Sequence, residues 1–283
     1  MKYLLWAAGR APFADSECPF CGARESRAVK RKYFVTALRE CSRCLLRFRV
    51  PKDQVAVDSQ FYEDEYFEGF TTDLPDSPGL AHLLETSFAG TEKDYAKYVS
   101  VLQAAGVPGG STIYDFGASW GYGSWQLRHA GYNVYSYEIA PTRAAYAAAR
   151  LGCHMLREPL GLPEPVDCFF SAHVLEHLAD PSSLWRTARA ALKAGGTLVL
   201  FMPNGEPARE TVNPQAYHQI WGKVHPLLLS AAALQNMALS FGFRGCAYST
   251  PFPQQLIADH EPGPLLGDEL AFVASRLGDS SNE

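Results

Sequence analysis

The cysteines carry the most explicit chemistry in this sequence. Cys18-Pro-Phe-Cys21 and Cys41-Ser-Arg-Cys44 are two Cys-x2-Cys pairs with 19 residues between them, the spacing of a tetrahedral zinc site. Zinc prefers thiolates, and a short loop brings both sulfurs of a pair to one ion. Gly22 after the first pair lets the chain turn back without strain. Four thiolates leave no open coordination position, so the expected Zn2+ is structural rather than catalytic. Two disulfides are the alternative in an oxidising compartment, and a redox pair is another, although two matched pairs argue against it. Cys153, Cys168 and Cys246 sit in apolar settings and read as core residues.

A second constellation is acidic and glycine-rich. Ile113-Tyr114-Asp115-Phe116-Gly117-Ala118-Ser119-Trp120-Gly121-Tyr122-Gly123 follows an apolar run and opens a helical pattern. Small residues there allow close backbone approach to a ligand. The loop lacks the G-x-G-x-x-G fingerprint of a dinucleotide pyrophosphate site. Instead, Asp115 precedes the first glycine, where a carboxylate repels phosphate but suits an ammonium or sulfonium. Glu138 lies 23 residues on, at the end of the next apolar run, where a carboxylate can accept both hydroxyls of a ribose. A tight turn with a surface glutamate is the plainer alternative.

These residues need a scaffold, and residues 109–275 describe one. Thr112–Phe116, Asn133–Tyr137, Cys153–Leu156, Asp167–Ala172 and the buried run Thr197–Met202 read as strands. Between them Gly123–Ala130, Thr142–Arg150 and Ser182–Leu192 read as helices, the last capped at Gly195-Gly196. Such alternation implies parallel pairing in a Rossmann-like, doubly wound α/β sheet. In that fold ligands bind beyond the carboxyl ends of the strands, which is where both acids fall. Residues 1–50 form the zinc-ribbon-like region, 51–108 a helical connector or lid, and 276–283 a disordered tail. The connector holds the aromatic-acidic patch Phe61–Phe67 and a helix expected over Glu92–Ala105.

In this setting the chain resembles the class I S-adenosylmethionine-dependent methyltransferases, over roughly Ser111 to Val273. Asp115-Phe116-Gly117-Ala118-Ser119-Trp120-Gly121 stands where that family has D/E-x-G-x-G-x-G, with the small residue Ser119 at the middle glycine. Glu138 matches its ribose-binding acid. Phe169–Leu178 resembles its fourth-strand segment ending in "vLEHl", and Leu192–Leu198 through Met202-Pro203-Asn204 resembles its approach to the fifth strand. The resemblance implies a mostly parallel seven-stranded sheet with a late hairpin from Phe243–Tyr248 and Leu270–Ala274, and S-adenosylmethionine as cofactor. It implies that Asp115 anchors the loop and the methionine end and that Glu138 holds the ribose. Phe116, Gly117, Ala118, Ser119 and Gly121 would then admit the cofactor closely, with Ile139 against the adenine and Arg157-Glu158 nearby. His173 would lie near the methyl group.

Methyl transfer mainly needs donor and acceptor held in line, and such positioning can supply about 7–11 kcal/mol. A hydroxyl acceptor also needs a base, and histidine suits that task near neutral pH. Of His173, His177, His218 and His225, the sequence favours His225 and His173; for any one of them, ordinary packing is the competing explanation. No N-P-P-Y-type tetrapeptide follows the fourth strand, so oxygen is the expected acceptor atom, with carbon as the alternative.

Charge adds a question about partners. Between Cys18 and Lys52, ten basic residues face only Glu25 and Glu40, a net +8 within a chain of −5, so the remainder carries −13. This basic stretch, with Tyr33, Phe34 and Phe48 interleaved, suits an anionic partner or docking against the acidic body of the same chain. The expected activity is O-methylation of a small molecule, anionic or neutral, such as a sugar, nucleotide-sugar or natural-product intermediate. An RNA methyltransferase gripping phosphates through Arg31, Lys32 and Arg43 is one alternative, and a non-catalytic zinc-binding adaptor another. No apolar run reaches the roughly 20 residues of a membrane span, and the N-terminus is a poor signal peptide. A cytoplasmic protein without membrane contact is therefore expected.

Overall fold

A computed structural model describes residues 7–9, 15–52, 73–222, 224–256 and 263–278. The patch Phe61–Phe67, expected as a lid, lies outside the described residues, as does the tail from residue 279.

After a helical stretch at residues 7–9 come β1 (Ser26–Lys32), β2 (Thr36–Cys41) and β3 (Arg47–Val50), and then α1 (Ser77–Glu85) and α2 (Ala96–Ala104). The alternating part runs β4 (Thr112–Phe116), α3 (Tyr122–His129), β5 (Asn133–Tyr137), α4 (Pro141–Leu151), β6 (His154–Met155) and β7 (Val166–Ala172). A short 3-10 turn (Leu175–His177), α5 (Ser182–Ala191) and β8 (Leu192–Pro203) come next. The chain then passes through α6 (Pro207–Val212), α7 (Pro214–Gln219), β9 (Leu227–Leu228), α8 (Ala231–Ser240), β10 (Phe243–Ser249) and β11 (Glu269–Arg276).

The large sheet has the order β10-β11-β8-β7-β4-β5-β6. β4 to β8 pair in parallel, and β11 is antiparallel to both β8 and β10. This is the mostly parallel, seven-stranded, doubly wound sheet with a late hairpin that the alternation and the resemblance imply. From β4 the chain winds outward through β5 and β6, then returns to place β7 and β8 on the other side. The carboxyl ends of β4, β5 and β7 therefore frame the switch-point crevice. The alternation of side chains along each strand explains why the sheet is buried on both faces. Tyr114, Phe116 and Phe169 enter one apolar cluster, whereas Ile113, Cys168 and Phe170 enter the other. Each buried phenylalanine contributes about 1.5–3 kcal/mol.

Two local expectations are corrected. The helix expected over Glu92–Ala105 begins only at Ala96. Asp94 turns the chain first, its Oδ2 accepting from the Gly90 amide and its Oδ1 from the Ala96 amide. The Gly195-Gly196 pair does not cap α5. That helix ends at Leu192 in extended conformation, and Gly195 turns within β8 at φ +74°.

The cysteine region is built into the body rather than appended to it. Its sheet has the order β1-β2-β3-β9, so the fourth strand comes from the far end of the chain. Cys18, Cys41, Cys44, Leu46 and Phe48 share the main apolar cluster with Leu227, Leu229, Leu234 and Met237. Four of the ten basic residues are spent on the same junction. Arg47 Nε donates to Glu40 and its Nη1 to the Tyr217 hydroxyl at 2.6 Å. Lys30 pairs with Glu210, and Lys32 donates to the Trp221 carbonyl and sits over its ring. Arg49, buried, donates to the Gly222 and Pro51 carbonyls. Among the described residues no helix is long and apolar enough to cross a membrane.

Candidate functional site

A cavity of about 430 Å³ opens at the carboxyl edge of the parallel strands. One wall is the loop after β4. The Gly117 and Ala118 amides both donate to the Tyr137 carbonyl, at 2.8 and 2.9 Å, and the Ser119 amide donates to Glu138 Oε2 at 2.8 Å. Glu138 Oε1 accepts from the Ala140 amide at 2.9 Å. Each carboxylate oxygen is thus fixed by one amide and keeps a further lone pair, so the acid is pre-aligned in the cavity lining. Burial raises the pKa of Glu138, partly offset by these amides and by the charge of Arg143.

Asp115 plays a different part. It is 2% exposed and accepts from Ser124 Oγ at 2.6 Å; Ser136 Oγ donates to Ser124 in turn. Burial raises its pKa to about 7, against the Ser124 bond, and the charge of Glu138 pushes the same way. A carboxyl poised between its two forms behind the loop favours a cation in front of it.

The glycines are demanded by packing. Gly117 and Gly121 both have φ +88°. A Cβ on Gly117 would fall 2.3 Å from Val174 Cγ2, and one on Gly121 2.7 Å from Ala147 Cβ. Ser119 adopts φ +50° in the position where the family resemblance has glycine, and its buried Oγ has no hydrogen-bond partner. Ser119 itself lines the cavity.

The opposite wall belongs to β7 and the turn after it. His173, in left-handed conformation (φ +56°), is held by two acids: Nε2 lies 2.8 Å from Glu269 Oε1 and Nδ1 3.3 Å from Glu176 Oε1. Burial alone would lower its pKa, but the bonds and charges of Glu176 and Glu269 raise it to about 9. His173 is therefore a cation at neutral pH, with both ring nitrogens donating. Glu269 also accepts from Tyr98 Oη at 2.6 Å and from Lys97 Nζ at 2.5 Å. His177 and His225 meet edge to face at 4.6 Å between ring centroids, each with Nδ1 2.8 Å from a backbone carbonyl, that of Val224 and that of Ile220. Burial lowers the pKa of His177 to about 4, leaving it neutral.

Among the residues singled out from the sequence, Phe116, Gly117, Ser119, Glu138, Ile139, His173 and His225 line this one cavity. Asp115, Ala118 and Gly121 stand behind the lining, and Arg157 and Glu158 are outside it. Sequence reasoning missed Tyr98, Lys97 and Arg143 in the lining, and Glu269 and Glu176 behind it. Glu176-His177 did carry a signal, the "LEH" of the resemblance. Glu269 carried none, because only the pairing of β11 with β8, with Glu269 opposite Pro203, brings it to His173.

The cysteines of the two Cys-x2-Cys pairs converge separately. Cys18 and Cys44 sulfurs lie 3.5 Å apart, as do those of Cys21 and Cys41, and all four fall within 4.8 Å of one another. A tetrahedron with Zn–S bonds of about 2.3 Å separates sulfurs by roughly 3.8 Å. Gly22 (φ +68°) and Leu45 (φ +63°) make the two turns that fold each pair back. The donor set and its spacing fit a structural zinc ion.

The residues at the crevice likewise fit S-adenosylmethionine: a pre-aligned acid for a ribose, an orphaned hydroxyl and a half-titrated buried acid for the amino-acid end, and exposed Ile139 for the base. The sequence model of a family described as a methyltransferase domain matches residues 114–200. No curated protein matches the sequence. Magnesium protoporphyrin IX methyltransferase from Synechocystis PCC 6803 with bound SAH superposes with a TM-score of 0.52 at 14% identity, covering 79% of this chain and 100% of that one. Its form with bound SAM gives a TM-score of 0.50 at 14% identity, over 80% and 99%. A TehB-like SAM-dependent methyltransferase from Corynebacterium glutamicum gives 0.47 at 19% identity, over 70% and 95%.

Proposed function

We propose that the chain, an S-adenosylmethionine-dependent methyltransferase by its domain match and its fold, methylates a hydroxyl of a small molecule. A sugar, a nucleotide-sugar or a natural-product intermediate is the class in view. The observation that carries this reading is the division of one 430 Å³ cavity between Glu138 and the loop of Gly117 and Ser119 at one end and His173, His177 and His225 at the other. That volume is in the range of small-molecule sites.

S-adenosylmethionine supplies an activated methyl group on a sulfonium. With that cofactor bound, Glu138 would accept from the ribose hydroxyls, Ile139 would cover the adenine, and Asp115, when ionised, would offset the positive charge through the loop. His173, Glu269, Tyr98 and Lys97 form a hydrogen-bonded wall whose fixed geometry orients the acceptor. Because both nitrogens of His173 donate to carboxylates, it holds that wall and takes no proton. The pair of His177, which is neutral, and His225 is where the acceptor hydroxyl is activated. Cys18, Cys21, Cys41 and Cys44 would hold a zinc ion that braces the end of the sheet where β3 pairs with β9, next to the segment that carries His225.

Lys32, required for phosphate binding in the RNA reading, is engaged by Trp221, and most of its basic neighbours are paired within the chain. This supports a small acceptor over RNA, and a pre-aligned Glu138 supports an enzyme over an adaptor. Incubation of the full chain with methyl-labelled donor and separate pools of sugar nucleotides, hydroxylated small molecules and RNA tests the proposal. Label in an alkali-stable ether of a small molecule is expected; label confined to RNA or to an amine overturns it.

A further inference from the structure

We propose that Glu176, His177 and His225 form a divalent-cation site at the acceptor end of the cavity, holding the ion through two imidazole nitrogens and one carboxylate oxygen. One ligand atom from each residue falls within 4.8 Å of the other two. Metal–nitrogen and metal–oxygen bonds of about 2.0–2.2 Å need the three to close by on the order of 1 Å around an ion, a rotamer-scale adjustment.

Three further features point to a cation. Glu176 is 2% exposed, yet its Oε2 is buried with no hydrogen-bond partner. Its other oxygen accepts from His173 Nδ1, which fixes the plane of the carboxylate. Burying a carboxylate oxygen with nothing against it is costly unless a positive charge meets it. The histidines are prepared in the same sense. Backbone carbonyls only accept, so Nδ1 of His177 facing Val224 O and Nδ1 of His225 facing Ile220 O carry the hydrogens, and the lone pairs sit on Nε2. An imidazole whose second nitrogen donates to a backbone carbonyl is the usual form of a metal-bound histidine.

Two imidazoles and one carboxylate suit a borderline ion such as Zn2+, Co2+ or Fe2+ and leave coordination positions open. Since His177 and His225 line the cavity, those positions face the space where the acceptor binds. There the ion would bind the acceptor oxygen and lower the pKa of its hydroxyl, so that the proton leaves to solvent and the oxygen lone pair bonds to the methyl carbon as the carbon–sulfur bond breaks, its electron pair returning to sulfur to leave neutral S-adenosylhomocysteine. That role rests on the hydroxyl acceptor proposed above; the site itself does not. It is also distinct from the thiolate cluster, which has no open position.

Cobalt titration of the full chain tests it without turnover. Wild type is expected to bind one equivalent more than His225→Ala or His177→Ala, with a cobalt spectrum lacking thiolate charge transfer that both variants lose. The thiolate-to-cobalt band of the cysteine site should remain in each variant and report that it is folded. Equal uptake by wild type and a variant with that band intact overturns the site. So does a wild type whose bound cobalt shows thiolate ligation alone. Methylation of a hydroxyl by a chain that binds no extra cobalt would remove the ion and keep the acceptor; an extra equivalent without hydroxyl methylation would do the reverse.

Discussion

Replacing Asp115 with asparagine should make the empty protein more stable at alkaline pH and less able to bind its cofactor. The carboxyl pKa rises from 3.8 to about 7 on folding because burial disfavours the charged form. An acid shifted upward binds its proton more tightly when folded, so its contribution to stability is fully present below pH 3.8. It falls as pH rises toward about 7 and is constant beyond. At about 1.4 kcal/mol per unit, ionised Asp115 costs the apo fold about 4 kcal/mol at pH 8. Asparagine keeps the size and can accept from Ser124, but its new amide donors lose about 1–3 kcal/mol where nothing accepts them. The variant should therefore be less stable than wild type near pH 4 and more stable at pH 8, by about 1–3 kcal/mol. For a chain of this size that is about 2–10 °C in melting temperature. Calorimetric melts from pH 4 to 8, with and without S-adenosylmethionine, read both effects. Wild type should gain more from the cofactor at pH 8 than at pH 6, and the variant should bind at least roughly tenfold more weakly, about 1.4 kcal/mol. A stability difference that does not change sign with pH, or unchanged cofactor affinity, would refute the reasoning.

Neighbouring residues give further tests. Gly121→Ala meets Ala147 and Cys153 at under 3 Å, whereas Gly131→Ala, at a similar φ of +94°, meets nothing within 4 Å; chemical denaturation should show the first costing about 1–3 kcal/mol more than the second. Ser119→Gly relieves a left-handed backbone and should raise apo stability by up to about 1–2 kcal/mol, while lowering cofactor affinity if the orphaned hydroxyl binds it. Removing one of the four thiolates by Cys44→Ser should unfold β3 and β9 together with the main core, seen as one cooperative loss of melting temperature. Survival of the sheet domain at its original melting temperature would make the cysteine region a separable module.

Residues local to one βα unit are legible in the amino-acid sequence itself. The loop at Asp115 and the acid at Glu138 sit on consecutive strands of a regular alternation, so their convergence follows from parallel pairing alone. The cysteine pairs are legible for the same reason, since each pair closes within four residues. The features that escape a sequence reading depend on contacts between distant segments. β9 is two residues long and has no pattern of its own, yet it ties the cysteine region to the body. The pKa of His173 is raised in part by Glu269, 96 positions away, a contact that no local sequence pattern announces. The basic stretch reads as an appendage because Tyr217, Trp221 and Glu210, which occupy its cations, are far off in sequence.

The most direct measurement is isothermal titration of the full chain with S-adenosylhomocysteine, paired with the same titration of Glu138→Ala. One site per wild-type chain is expected, weakened in the variant by about 1.5–3 kcal/mol for the lost charged hydrogen bonds. A wild type that takes up no S-adenosylhomocysteine, or a variant that binds it equally well, would contradict the assignment of the crevice.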